Sequence, residues 1–434
     1  MLSAITGTFR HIAHAFSTGY HDAVHYGSEG VKVLKGGPHV VEHLAETYVN
    51  SLVDPHPGPD KGELSSEAEE ALTHRAEGNH PEARAKLSFN AAARYMGEPG
   101  DMHDNDHSWK ATSCWALSQA MAASLDQAKL TGNYSNFHKL DDQLQKYKNL
   151  SGHGYAADTD GATGFGGSWY DDNSWVGLDY MQAYHQTHDK KYLTAAQQQF
   201  DFIRHGMYKG GMMWDSQQQP GSNTSPPSWN TCTEGPAAEL ALRLHTATNP
   251  KGTNDPYLQM AHQLNDNMNK YLRRPDGLYN DHVAADHPTQ HKAGDDGLLA
   301  YNQGTPIGVN TLLYRITGKR EYLQAAQQTA HSSLPKVQQW GLSESPEWDG
   351  IYFRNLMQLD AVAPDPSYRA ALQKYNNQAW HDGRHPATDL FGNHGMGNDD
   401  SVPSGSQYDL IDQMGLVQTY SLQAMPASDY SAVS

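Results

Sequence analysis

Thr187-His-Asp-Lys-Lys-Tyr192, Asn254-Asp-Pro-Tyr257 and Thr317-Gly-Lys-Arg-Glu-Tyr322 are the stretches that decide the fold. Each is a short polar corner between two helical patterns, and each ends in a tyrosine followed by sequence rich in Ala and Gln. The three tyrosines recur every 65 residues, and Leu130-Thr-Gly-Asn-Tyr134 and Ala363-Pro-Asp-Pro-Ser-Tyr368 are looser copies on either side. A fixed period of paired helices means stacked helical hairpins. The recurring tyrosine is expected to pack under its own turn, a structural role.

Outward from these corners, helical patterns fall near 65–97, 109–127, 136–148, 172–187, 190–206, 232–248, 256–273, 302–317, 320–333, 349–362, 367–381 and 407–424. No sustained alternation of β-branched residues marks strands. The expected class is all-α. Twelve such helices can close into a ring, and an open solenoid fits the same periodicity. The inserts at 151–168, 208–230, 275–300 and 384–406 are too long for plain hairpin loops. Long loops on a rigid scaffold are where binding sites are built. Residues 1–60 read as an N-terminal extension and linker of unassigned role, ending in Asp54-Pro-His-Pro-Gly-Pro-Asp60, and residues 61–434 as the main domain.

Composition narrows the partners. Of 434 residues, 37% are hydrophobic and 18% charged, so the surface is rich in neutral polar groups. The net charge of -18 argues against nucleic acid and anionic membrane, and is compatible with a neutral polymer. No run is long enough to span a membrane. Met1 to Tyr20 lacks the continuous apolar core of a secretory signal. That leaves a cytosolic protein, a mature form cut from a precursor, or export by another route. Cys114 and Cys232 sit in apolar helical stretches and read as small buried side chains, although one bridge between them stays open.

The chemistry-bearing stretch is Trp169-Tyr170-Asp171-Asp172-Asn173-Ser174-Trp175, after a glycine-rich run from Gly161 to Gly167. Helix capping explains one aspartate there, or both. It does not explain the crowding of indole and phenol rings around them. Paired acids among aromatic rings suit sugar chemistry, with Trp169, Trp214, Trp229, Tyr301 and Trp348 as candidates to stack on sugar faces. Roughly half of these are expected to reach a cleft and the rest to anchor the core. Asn302 and Gln303 are candidates for sugar hydroxyls, with capping by Asn302 as the alternative. Arg354 either orients a carboxylate or pairs with a surface acid.

Other signals are weaker. His39-Val-Val-Glu42-His43 fits an inverted zinc-peptidase motif. With 25 histidines in the chain, a match on the order of one in ten arises by chance, and no third ligand accompanies it. Asp158-Thr-Asp160-Gly161 lacks the spaced carboxylates and terminal Glu of a calcium loop. There is no phosphate-cradling loop and no G-x-S-x-G. No metal and no cofactor are expected, and the expected state is a monomer.

Over roughly residues 85–424 the chain resembles glycoside hydrolase family 76, the α-1,6-mannanase family. The matches run in order: Tyr170-Asp171-Asp172-Asn173-Ser174-Trp175, Gly210-Gly211-Met212-Met213-Trp214, Pro275-Asp-Gly-Leu-Tyr-Asn-Asp281, Tyr301-Asn302-Gln303-Gly304-Thr-Pro-Ile-Gly308 and Gly350-Ile-Tyr-Phe-Arg354. The resemblance implies an (α/α)6 toroid of six helical hairpins and retaining hydrolysis, endo-acting on α-1,6-mannan or a related α-linked mannan. It implies Asp171 as nucleophile and Asp172 as general acid/base. Trp169, Tyr170, Trp214, Trp229, Asn230, Tyr301, Asn302, Gln303, Trp348 and Arg354 are the substrate-binding candidates. A retaining pair needs carboxyls about 5–5.5 Å apart, one ionised and one protonated, and neighbours in a non-helical turn can meet that need. Two positions depart from the family pattern: Asp349 replaces a Lys, and Trp229-Asn230 replaces Lys-Asn. Both changes remove a cation from the expected cleft. The alternatives are a transglycosidase, or a non-catalytic carbohydrate-binding protein on the same scaffold.

Overall fold

The computed structural model describes residues 66–106, 108, 110–149, 154–159, 167–253, 255–288, 297–392 and 408–433. The 1–60 extension with His39 and His43 lies outside the described residues, as do Asp160 and most of the Gly161–Gly167 run. The helices are α1 (Ser66–Glu77), α2 (Pro81–Met96), α3 (Cys114–Thr131), α4 (Ser135–Leu144), α5 (Tyr170–Thr187), α6 (Lys190–Ile203), α7 (Thr231–Thr248), α8 (Pro256–Asn267), α9 (Ala300–Thr317), α10 (Arg320–Trp340), α11 (Pro346–Val362), α12 (Pro366–Gln378) and α13 (Leu410–Ala424). The one segment expected over 65–97 is two helices. Asn79 takes a left-handed φ of 64°, and Pro81 disfavours helix in the residue before it, so the chain breaks between Glu77 and Pro81.

α3, α5, α7, α9, α11 and α13 each pack on the next, and α13 packs back on α3. The ring is closed, which rules out the open solenoid. α4, α6, α8, α10 and α12 each return outside the inner helix that precedes them. The sixth outer helix is α2, from the start of the domain, which packs on α13 from its end. The fold is an (α/α)6 toroid whose last hairpin is assembled from opposite ends of the chain. Polar groups fasten this seam: Gln418 Nε2 of α13 donates to Gln119 Oε1 of α3 at 3.1 Å, and Arg84 Nη1 of α2 donates to Asn377 Oδ1 of α12 at 2.8 Å.

The corner tyrosines also reach the hairpin before their own. Tyr192 meets Phe137 of α4 edge-on at 5.4 Å, Tyr257 meets Phe200 of α6 at 4.6 Å, and Tyr322 lies 6.2 Å from the His262 ring of α8. Each therefore joins its own corner to the outer helix of the preceding hairpin. A contact that repeats once per hairpin produces a 65-residue period. The apolar core fills the space between the inner and outer rings, whereas the axis is polar. There Arg354 of α11 pairs with Asp126 of α3, and its Nη2 donates to Gln182 Oε1 of α5 at 2.6 Å. Arg243 Nη2 of α7 donates to Gln358 Oε1 of α11 at 2.8 Å.

The connections divide by end. Short corners leave the C-termini of the inner helices, and most of the long loops lead into their N-termini, so the N-termini form a mouth. Two short antiparallel pairs edge it: β1 (Met207–Tyr208) with β2 (Gly211–Met212), and β3 (Ser228–Asn230) with β4 (His282–Ala284). Both cysteines are free and buried. Among the described residues no helix is long and apolar enough to cross a membrane.

Tyr192 is 2% exposed, so Tyr192→Ala is expected to lower unfolding stability by about 3–5 kcal/mol. Urea denaturation followed by far-UV circular dichroism checks this. A loss within about 0.5 kcal/mol, the usual range of a surface change, contradicts the clamp role.

Candidate active site

Asp171 and Asp172 occupy the second and third positions of α5, inside its first turn. They are not in the non-helical turn expected from the sequence. Consecutive helical residues diverge by about 100° around the axis, so the two carboxyls leave the helix start in different directions. The dipole there favours negative charge; burial opposes it.

The two acids differ in what surrounds them. Asp171 Oδ2 accepts from the Trp214 indole Nε1 at 2.8 Å and from the Cys232 thiol at 3.8 Å, and Oδ1 accepts from the Asp172 backbone N–H at 3.0 Å. Burial raises the Asp171 carboxyl to about 6, with these donors holding it down. Burial and then the charge of Asp171 push Asp172 well above the ordinary carboxyl range, and no donor among the described residues offsets them. Asp171 is therefore the first of the pair to ionise.

Trp214 is held by backbone on both sides. Met213 bridges to Trp229 and Asp215 bridges to Trp169. Gly210 forms the turn with a φ of 104°. A Cβ on Gly211 would lie 2.2 Å from Glu234 Oε1, so the Gly-Gly pair serves the turn and the close approach. Trp169 meets Trp214 edge-on at 4.4 Å, and Tyr301 stacks on Trp348 at 5.5 Å. All four rings are half-buried at the mouth.

The other substrate candidates are interior. Tyr170 packs against Phe202 at 5.3 Å, between α5 and α6. Trp229 is 2% exposed and donates to the Tyr208 carbonyl at 3.0 Å. Asn230 is buried and accepts from Ser228 Oγ at 2.7 Å. Asn302 does not cap its helix; its Nδ2 donates to Asp281 Oδ1 at 2.9 Å. Arg354 lies in the axis, 2% exposed, and pairs with the buried Asp126. Asp349 is fully buried as well, so neither departure from the family pattern changes a charge on the open mouth.

Gln303 belongs to a recurrent device. It is the fourth residue of α9, and it accepts from the Tyr279 N–H and donates to the Tyr279 carbonyl, both at 2.8 Å. Gln413, fourth in α13, grips Phe391 in the same way at 2.9 Å on both sides. Asn173, fourth in α5, grips Tyr155 at 2.7 and 3.0 Å. These amides fasten incoming loops to inner helices and do not face a ligand.

Three features went unread in the sequence. The first is the Cys232 thiol on Asp171. The second is Asp281, whose carboxyl burial would raise, but which hydrogen bonds from His282 and Asn302 hold below the usual range. It is a third, ionised carboxylate near Cys232 and Tyr301. The third is Glu347, first turn of α11, pushed well up by burial and by Asp412 of α13. Only Asp281 had a signal, its place at the end of a matched segment. No group of three or more candidate metal ligands occurs among the described residues.

A closed ring of helical hairpins with a carboxyl pair among aromatic rings has the architecture of a glycoside hydrolase. The chain belongs to glycosyl hydrolase family 76, whose family model matches residues 80–379. A search of curated protein sequences finds no match. Among solved structures, a family 76 α-mannanase from Bacteroides thetaiotaomicron is similar with a TM-score of 0.69 and 17% identity, over 81% of this chain and 98% of that one. The α-1,6-mannanase of Salegentibacter sp. HEL1_6 is similar with a TM-score of 0.63 and 22% identity, over 79% of this chain and 99% of that one. An inactive variant of that mannanase, with two consecutive aspartates replaced by alanine, has been solved with α-1,6-mannotetrose. A D-mannose isomerase also matches, with a TM-score of 0.57 and 15% identity, over 79% of this chain and 97% of that one. At these identities the likeness is one of fold.

The raised acids carry a stability consequence. A carboxyl whose folded pKa lies above its unfolded value of about 3.9 destabilises the fold progressively as pH rises between the two values. Asp172→Asn is therefore expected to raise the melting temperature at pH 8 by about 2–4 °C, and to change it little at pH 4. Scanning calorimetry at both pH values checks this. An equal effect at both contradicts the raised carboxyl.

Proposed function

We propose that this protein is a retaining glycoside hydrolase that cuts α-linked mannan internally, with linear α-1,6-mannan as the first substrate to try. The observation that supports it is the unequal treatment of two adjacent acids. Asp171 has three donors and ionises first; Asp172 has none among the described residues and keeps its proton.

Asp172 gives that proton to the glycosidic oxygen as the bond to the anomeric carbon breaks, and Asp171 attacks that carbon to form a glycosyl-enzyme ester. Asp172, now ionised, takes a proton from water, which attacks the same carbon and frees Asp171. Two displacements on one carbon restore its configuration. Trp169, Trp214, Tyr301 and Trp348 offer apolar faces to the sugar rings, and Asp281 offers an acceptor for sugar hydroxyls. The mannotetrose complex of the Salegentibacter enzyme makes an α-1,6-linked oligosaccharide a sound first probe.

The test is incubation with linear α-1,6-mannan and a panel of other α-glycans. Internal cleavage with new reducing ends and retained anomeric configuration, read by chromatography and proton NMR, is the expected result. Asp172→Asn is expected to lower the rate by about 10²–10⁴-fold, and Asp171→Asn to abolish it. Redistribution of chain lengths without new reducing ends indicates a transglycosidase. Binding without either indicates a non-catalytic carbohydrate-binding protein. Activity that survives Asp171→Asn removes the assignment.

A further inference from the structure

Glu234 occupies the fourth position of α7, the place held by Asn173, Gln303 and Gln413 in α5, α9 and α13. Those three are amides, and each accepts from the N–H and donates to the carbonyl of one loop residue. Glu234 does half of this visibly. Its Oε1 accepts from the Met212 N–H at 3.0 Å and from Asn267 Nδ2 at 2.8 Å. Its Oε2 is buried and no donor reaches it.

Met212 is the last residue of β2, and the N–H and C=O of one strand residue point to the same side. The Met212 carbonyl therefore faces the carboxyl that its N–H contacts. An ionised carboxylate has nothing to donate to that carbonyl, so two acceptors would face each other out of water, an arrangement that costs desolvation without return. A protonated carboxyl has the same donor–acceptor pattern as the amides of Gln303 and Gln413.

We propose that Glu234 is a positioning residue that works as a neutral acid: Oε2–H donates to the Met212 carbonyl, and the resulting two-point grip sets the β1–β2 hairpin and the Trp214 that follows it. Through Trp214 Nε1 the grip reaches Asp171, so its catalytic meaning rests on the proposed role of Asp171. The surroundings fit. Met212 of β2 and Asn267 of α8 supply the hydrogen bonds, and no charged side chain acts on the carboxyl. Burial is the largest influence and raises it to about 8. Below that pH the clamp is closed. Above it the ionised carboxylate and the Met212 carbonyl repel, and the hairpin loosens.

The test uses the full chain, isotope-labelled, with the Met212 backbone amide and the Trp214 indole N–H followed by NMR from pH 6 to pH 10; Trp214→Phe identifies the indole signal. The titration is repeated in Asp172→Asn, which removes the high-lying acid coupled to Asp171, the carboxyl that the indole contacts. The expected result is a transition in both signals with a midpoint near 8, present in Asp172→Asn and absent in Glu234→Gln. Glu234→Gln, with a permanent donor, is further expected to melt higher than the parent by a margin that grows from pH 5 to pH 8 and then levels. Glu234→Ala is expected to displace the Trp214 signal at every pH, with Glu234→Gln restoring it. The proposal is overturned if the Met212 amide shows no transition in the parent, or the same transition in Glu234→Gln. The readout needs no substrate, so an Asp171→Asn variant that still hydrolyses glycan would remove the catalytic reading and leave the clamp standing.

Discussion

The Arg354 guanidinium, buried in the axis between Asp126 and Gln182, is the contact on which the rest of the toroid depends. It joins α11 to α3 and α5, helices that come together only when the ring has closed. A buried pair of this kind adds little net stability over a packed apolar replacement, but losing one partner costs about 3–5 kcal/mol. Any slip of α11 by a turn leaves a buried charge alone. The pair therefore discriminates between registers, and the register of the inner helices decides whether their N-termini meet at a common mouth.

The same closure explains where acids are tolerated. Carboxyls cluster at these helix starts: the half-buried Asp171 and Asp172 and the buried Glu234, Glu347, Asp349 and Asp412 all lie in the first turn of an inner helix. Each helix start carries unpaired N–H groups and a partial positive charge. A ring of such ends lowers the cost of buried carboxyls without supplying a compensating cation, so the acids stay raised and not fully neutralised. A cation placed beside these carboxyls would pull them down again.

The hairpins were legible in the sequence because Tyr192, Tyr257 and Tyr322 each repeat one contact per hairpin. Closure was not, because it rests on contacts such as Gln418 with Gln119, which occur once and have no period. The acid pair was legible because capping left the rings around it unexplained. Gln303, Trp229 and Arg354 read as ligands of a sugar because polar and aromatic residues at helix entrances usually face solvent. In a toroid those entrances are enclosed by incoming loops, and the axis is walled by other helices, so such residues are spent on protein contacts. Cys232 was read as a small buried residue, which it is; its contact with Asp171 depends on the arrangement of α5 beside α7, which no local pattern encodes.

Position within the first turn separates scaffold from chemistry. The fourth residue of an inner helix grips the incoming loop, as Asn173, Gln303 and Gln413 do. Several second and third residues, unlike the buried Asn302 and Glu347, lie half-buried at the mouth: Asp171 and Asp172 in α5, Tyr301 in α9, Trp348 in α11, with the buried Cys232 of α7 beneath them. Asp171 touches Cys232, Cys232 and the Tyr301 hydroxyl act on one another, and Tyr301 stacks on Trp348. A chain of contacts thus runs across four inner helices through these two positions alone. That division lets one toroid serve different reactions, since the fourth position can keep the fold while the second and third change. It also means that likeness of fold, shared here with both a mannanase and an isomerase, carries less information about the reaction than these few side chains.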